Sequence, residues 1–96
     1  MEIRNIKHRG LKAFVEKGET KGLPSDRIRR ISQIIGFLAD MEDIEEVRSL
    51  HKWHAHMLTG KRRGVHSLLV SGNWRITFLH DADVNEVYDL DLEDYH

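Results

Sequence analysis

Val65-His66-Ser67-Leu68-Leu69-Val70-Ser71-Gly72-Asn73-Trp74-Arg75-Ile76-Thr77-Phe78-Leu79 is the stretch that decides the fold. Two runs rich in aliphatic and aromatic residues flank the turn-forming Ser71-Gly72-Asn73, so residues 65–70 and 74–79 are predicted to form a β-hairpin. Successive side chains of a strand point to opposite faces. Trp74, Ile76 and Phe78 therefore share one face of the second arm, and Arg75 and Thr77 take the other. Downstream, residues 84–93 read as the last strand, with Tyr88, Leu90 and Leu92 alternating against Val87, Asp89 and Asp91. Upstream, residues 51–58 also run with a period of two: Trp53, Ala55 and Met57 on one side, Lys52, His54 and His56 on the other.

Before residue 50 the period changes. Leu11, Phe14 and Val15 recur at helical spacing, with Gly18 as the terminator. After Gly22-Leu23-Pro24, Ser25 is expected to cap a second helix whose apolar stripe is Ile28, Ile31, Ile34, Ile35 and Leu38. A short helical segment follows, capped by Asp43 with Glu46 three residues on, and Ile44 and Val47 facing inward. Helices first and adjacent strands after predict an α+β fold, with two N-terminal helices packed on one face of an antiparallel β-sheet. Residues 1–96 are expected to form a single domain.

The chain has 96 residues and no cysteine, which excludes disulfides and thiolate metal sites and suits a reducing cytoplasm. No apolar run approaches the ~20 residues of a membrane span, so a cytoplasmic protein without a membrane partner is expected. A net charge of −1 conceals an asymmetry: residues 1–80 hold all 15 Lys and Arg against nine Asp and Glu, a net +6. The last 16 residues hold seven acids and no Lys or Arg, and these acids, apart from Asp94, are expected to solvate an edge strand. A basic body attracts phosphates even when the whole chain is near neutral.

If the apolar parity of each strand faces the helices, Lys52, His54, His56 and Arg75 share the uncovered face, a set of donors suited to phosphate. Ordinary polar-out alternation gives the same pattern, and periodicity leaves both readings open. His54 and His56 lack a third ligand at supportive spacing, so neither a metal nor any other cofactor is expected. His51 and His80 read as surface residues, and Trp53, Trp74 and Phe78 as core.

Gly72-Asn73-Trp74-Arg75-Ile76-Thr77-Phe78 followed by the terminal Glu93-Asp94-Tyr95-His96 resembles the HigB branch of the RelE/ParE toxin superfamily. The opening Ile6-Lys7-His8-Arg9-Gly10-Leu11, with Phe14 and Glu16-Lys17-Gly18, is similar to that family's N-terminus. Leu58-Thr59-Gly60-Lys61-Arg62-Arg63-Gly64 extends the likeness, in order, over essentially the whole chain. The resemblance implies a RelE-like fold and a ribosome-dependent endonuclease of messenger RNA. A HigA-like helix-turn-helix antitoxin would neutralise it, and the complex would reach operator DNA through the antitoxin. By matching position it implies His56, Arg75, Asp94, Tyr95 and His96 as catalytic residues. Lys61, Arg62 and Arg63 would hold RNA backbone beside Lys52 and His54. Two positions depart from the family pattern. Thr59 stands where similar toxins often carry Lys, and His66 where an aromatic is common. A gyrase inhibitor on the same scaffold, or a non-catalytic corepressor bound to an antitoxin, are the competing functions.

The implied residues suit the chemistry. RNA supplies its own 2′-hydroxyl nucleophile, so a base, an acid and a charge stabiliser are enough. Histidine titrates near neutrality and serves either proton-transfer role, with base and acid interchangeable between His56 and His96. Arg75 offers a fixed charge and a planar fork to the phosphate oxygens. Asp94 would orient a histidine or the ribose, and Tyr95 would stack on a base or help position the substrate.

Overall fold

The computed structural model describes residues 1–95; His96, a predicted catalytic residue, lies outside them. Helix α1 spans Arg9–Lys17, α2 Ile28–Asp40 and α3 Glu45–Arg48. The strands are β1 (Glu2–Ile3), β2 (His56–Met57), β3 (His66–Ser71), β4 (Trp74–Asp81) and β5 (Glu86–Asp94). They form one sheet in the order β1-β5-β4-β3-β2, antiparallel except for the parallel pairing of β1 with β5. No helix among the described residues is long and apolar enough to cross a membrane.

The predicted hairpin and helices form. Gly72 turns the chain at φ 56°, and Ser71 pairs with Trp74 across a two-residue turn. Gly18 ends α1 in the left-handed region, its N–H meeting the Phe14 carbonyl, as a C-terminal glycine does. Ile31, Ile34, Ile35 and Leu38 of α2 are buried together with Leu11 of α1, and they pack with Leu68, Val70, Ile76, Phe78, Val87, Leu90 and Leu92 of the sheet. Glu46 accepts the N–H groups of Glu42 and Asp43, and Asp43 accepts that of Glu45, so the predicted capping box at α3 is present. Ser25 makes no cap; it opens a 3₁₀ turn, Ser25–Arg27, that leads into α2.

Four expectations are corrected. Residues 51–58 do not form one strand: His51–Trp53 is a 3₁₀ turn, His54 sits at φ 48°, and only His56 and Met57 pair. The turn lets Trp53 bury its ring edge-on to Phe37, with centroids 5.8 Å apart. Burying an indole is worth on the order of 4–6 kcal/mol by area, more than a few edge-strand hydrogen bonds. Met57, expected inside, is exposed beside the open sheet edge.

In β5, Val87 is buried with Leu90 and Leu92, while Tyr88 is not. A bulge opposite Phe78 inserts one residue and reverses the parity. Asp89 takes φ 50° there, and Asn5 holds it: the Asn5 side chain accepts the Asp89 N–H and donates to its carboxylate, both at 2.9 Å. Nor is β5 an edge strand, since it lies between β1 and β4. Its flanking acids are paired: Arg4 holds Asp81 at 2.6 Å and Glu86 at 2.9 Å.

His66 lies on the helix side, buried and stacked on Phe78 with centroids 5.0 Å apart. Burial, and then the charges of Arg48 and His80, push its pKa from 6.5 down to about 4. The unfolded chain therefore takes up a proton that the folded chain refuses between those values. Stability is full above pH 6.5 and falls as pH drops toward 4, by on the order of 2–3 kcal/mol from this residue. Urea denaturation at pH 7 and pH 5 should show a smaller loss for His66→Phe than for the parent chain.

Candidate active site on the open sheet face

Paired residues of a sheet share a face, so the register alone assigns the surface away from the helices. His56 pairs with Ser67, Ser67 with Thr77, and Thr77 with Asp91. One step along, Leu69 pairs with Arg75 and Arg75 with Glu93. His56 and Arg75 thus stand on the same open face, two strands and two residues apart. Strand geometry puts their Cα atoms ~12 Å from each other, a span their side chains can close around one phosphodiester.

His56 is exposed on the edge strand, and its Nδ1 lies 2.9 Å from the His54 carbonyl oxygen. A carbonyl only accepts, so the bond requires the proton on Nδ1 and leaves the Nε2 lone pair outward in the neutral ring. The left-handed backbone of His54 belongs to the turn that presents this oxygen. Lys52 lies in the preceding 3₁₀ turn, its ammonium 4.5 Å from the Trp53 ring centroid. Lys52 and His54 therefore flank β2 and do not share its face as the alternation predicted.

Arg75 is half-buried, and its Nη1 is buried with no hydrogen-bond partner among the described residues. The Tyr95 ring lies beside it, 5.8 Å from the guanidinium carbon, and 5.9 Å from that of Arg62. Arg62 donates to the Tyr95 hydroxyl at 2.9 Å and grips Glu93 with both Nη atoms at 2.8 and 2.6 Å. Thr77 donates to the same carboxylate. The Tyr95 N–H meets the Asn73 carbonyl at 2.8 Å and ties the chain end to the hairpin turn.

Burial pushes the Glu93 carboxyl upward, but the hydrogen bonds from Arg62 and Thr77 and the charge of Arg62 outweigh it and hold it below its ordinary range. The Glu93 hydrogen bond in turn raises Arg62. Glu93 and Thr77 escaped the sequence reading because a lone acid in an acidic tail carries no signal. Only the antiparallel register sets Glu93 opposite Arg75 and within reach of Arg62.

The sequence-derived residues divide accordingly. His56, Arg75, Arg62 and Tyr95 are brought to the open face. Lys61 and Arg63 are exposed in the loop that carries Arg62, whose 3₁₀ turn spans Gly60–Arg62. Asp94 pairs with Trp74, so the register sends it to the helix side, opposite Arg75 and Glu93. His56 also stands at the rim of an apolar groove of about 330 Å³ that His66 and Met57 help to line. Among the described residues no group of three His, Cys, Asp or Glu is placed to hold a metal ion.

A family profile described as the RelE-like toxin of type II toxin–antitoxin system HigB matches residues 4–96. The chain is 40% identical to the Endoribonuclease HigB of Proteus vulgaris over 96 residues, 98% of this chain and 99% of that protein. With the α+β fold, the mostly antiparallel sheet and a match over nearly its whole length, the chain belongs to the HigB-like, RelE-fold toxins of type II toxin–antitoxin systems.

Proposed function

We propose that this chain, as one toxin domain, is a cytoplasmic endoribonuclease that cuts messenger RNA on the ribosome without a metal of its own. The observation that carries the reading is the Arg75 guanidinium on the open face, two strands from His56, with its Nη1 unpartnered among the described residues. The guanidinium is half-buried beside the Tyr95 ring, and its planar fork can offer N–H groups to phosphate oxygens from a fixed position. The name of the Proteus vulgaris relative supports the same reading.

In this reading His56 Nε2 takes the proton of the 2′-hydroxyl, because its tautomer leaves that lone pair available. The 2′-oxygen bonds to phosphorus and Arg75 neutralises the charge that develops on the phosphoryl oxygens. The bond to the 5′-oxygen breaks as His96 protonates it. The products are a 2′,3′-cyclic phosphate upstream and a 5′-hydroxyl downstream. Tyr95 stacks on a base, and Asp94 acts on the ribose or the terminal histidine from the strand end. Lys61, Arg62 and Arg63 hold the RNA backbone, with Lys52 and His54 at the lip beside β2. A HigA-like helix-turn-helix antitoxin neutralises the toxin and carries the pair to operator DNA.

Primer extension on translated messages, with EDTA-treated toxin and ribosomes that keep their magnesium, tests the proposal. Discrete cuts with 5′-hydroxyl ends are expected. Ends bearing 5′-phosphate, or loss of DNA supercoiling activity with messages left whole, would overturn it. Arg62→Ala should raise KM more than it lowers kcat and make the salt dependence of binding shallower by about 0.7 in log–log slope, one single-strand phosphate contact.

A further inference from the structure

Arg27, at the end of the 3₁₀ turn, and Arg29 and Arg30, in the first turn of α2, line a cavity of about 300 Å³ beneath the end of β3. Asp26 is the one acid among the residues that line it. Asp26 takes Nη1 of Arg27 at 2.7 and 2.8 Å, and Arg30 donates to the Val70 carbonyl at 3.0 Å. Arg29 is exposed and forms no ion pair among the described residues. The Arg27 Nε is buried and has no hydrogen-bond partner among the described residues. Three arginines against the single acid Asp26 leave the lining of this pocket with a net positive charge.

Its position gives that charge a use. Gly72 at the tip of the β3–β4 hairpin lies against Arg27; a methyl group on it would come 3.6 Å from the Arg27 Nη2. The neighbouring Asn73 carbonyl holds Tyr95 on the open face. The hairpin turn is therefore a shared wall, with Arg75 and Tyr95 on one side and the arginine pocket on the other.

We propose that Arg27, Arg29 and Arg30 form a second phosphate-binding site, which takes the backbone of the RNA strand where it leaves the open face and passes around the hairpin turn. The inference rests on the nuclease reading for its ligand. Guanidinium forks match phosphate oxygens in pairs, and an RNA strand presents its phosphates in series. One acidic side chain would add little to what Asp26 already supplies to Arg27, whereas successive phosphates reach the exposed Arg29 and Arg30 as well.

The test compares the parent chain with Arg29→Gln/Arg30→Gln, two exposed positions, and with Lys17→Gln as a charge control. Unchanged thermal melting establishes that the double variant folds. Titration with inorganic phosphate, followed by NMR at the arginine Nε–H groups, should shift Arg27 and Arg29 saturably in the parent. No saturable shift would overturn the site. On ribosome-bound message the double variant should show about a tenfold higher KM at unchanged kcat. Its log–log salt slope should be shallower by about 1.4, the value for two single-strand phosphates. A KM and slope equal to those of the parent would overturn the RNA assignment. Loss of antitoxin binding with RNA kinetics intact would overturn it in favour of an acidic protein partner. Were the parent chain itself to leave messages uncut, the nuclease reading would fall, and the phosphate titration would still decide the site.

Discussion

His56→Ala should slow cleavage of ribosome-bound message by about 10²–10⁴-fold, the usual contribution of a positioned proton-transfer group. The imidazole is exposed and packs under no other side chain of the core, so the loss should appear in kcat with melting temperature unchanged. Its orientation comes from the backbone: the His54 carbonyl, 2.9 Å from Nδ1, selects the tautomer whose Nε2 accepts a proton. His54→Gly removes a side chain but keeps a residue content with φ 48°, and should retain most of the rate. His54→Val, a β-branched residue in that region, should move the carbonyl and lower kcat. Single-turnover cleavage measured beside thermal melting checks all three. A His56→Ala chain that cleaves at the parent rate would remove the proton-transfer role.

Arg75→Ala should cost about 10²–10³-fold in kcat, by analogy with removal of one oxyanion donor. The structure adds a second expectation that separates catalysis from stability. Because Nη1 of Arg75 is buried with no partner among the described residues, truncation breaks no hydrogen bond to them, and the folded state should not lose the free energy that breaking a buried hydrogen bond would cost. Activity should collapse while the urea midpoint stays level or rises. Arg75→Lys keeps the charge but loses the planar fork and the face it turns to Tyr95, and should recover only part of the rate. Equal activity in Arg75→Ala would remove the residue from the site. An equally large fall in stability would make its role structural.

The hairpin was legible because its signals are local: a Gly-Asn turn between two alternating runs needs nothing from elsewhere in the chain. The α2 stripe was legible for the same reason, since a helix's buried face is written at its own period. The strand expected over residues 51–58 failed because Trp53 answers to a distant partner, Phe37 on α2, and its burial outweighs local alternation. The parity of β5 failed because a single inserted residue, Asp89, is held in the left-handed region by Asn5 at the other end of the chain. Alternation has no means of announcing a bulge.

Of the site, residue types and chain order were determined by the sequence alone, and so was membership of the open face for Arg75. These depend on strand periodicity and on motifs that lie along the chain. Tertiary structure decided what those residues meet. It placed Arg62 on Glu93 and both beside Tyr95, turned Asp94 toward the opposite face from Arg75, and left the Arg75 Nη1 without an acceptor among the described residues. It also gathered Arg27, Arg29 and Arg30 against a turn more than forty residues away. The physical reason is the same in each case. Hydrogen bonds and ion pairs between side chains depend on register across strands and on packing between distant segments, and neither is encoded in the spacing of residues along one strand.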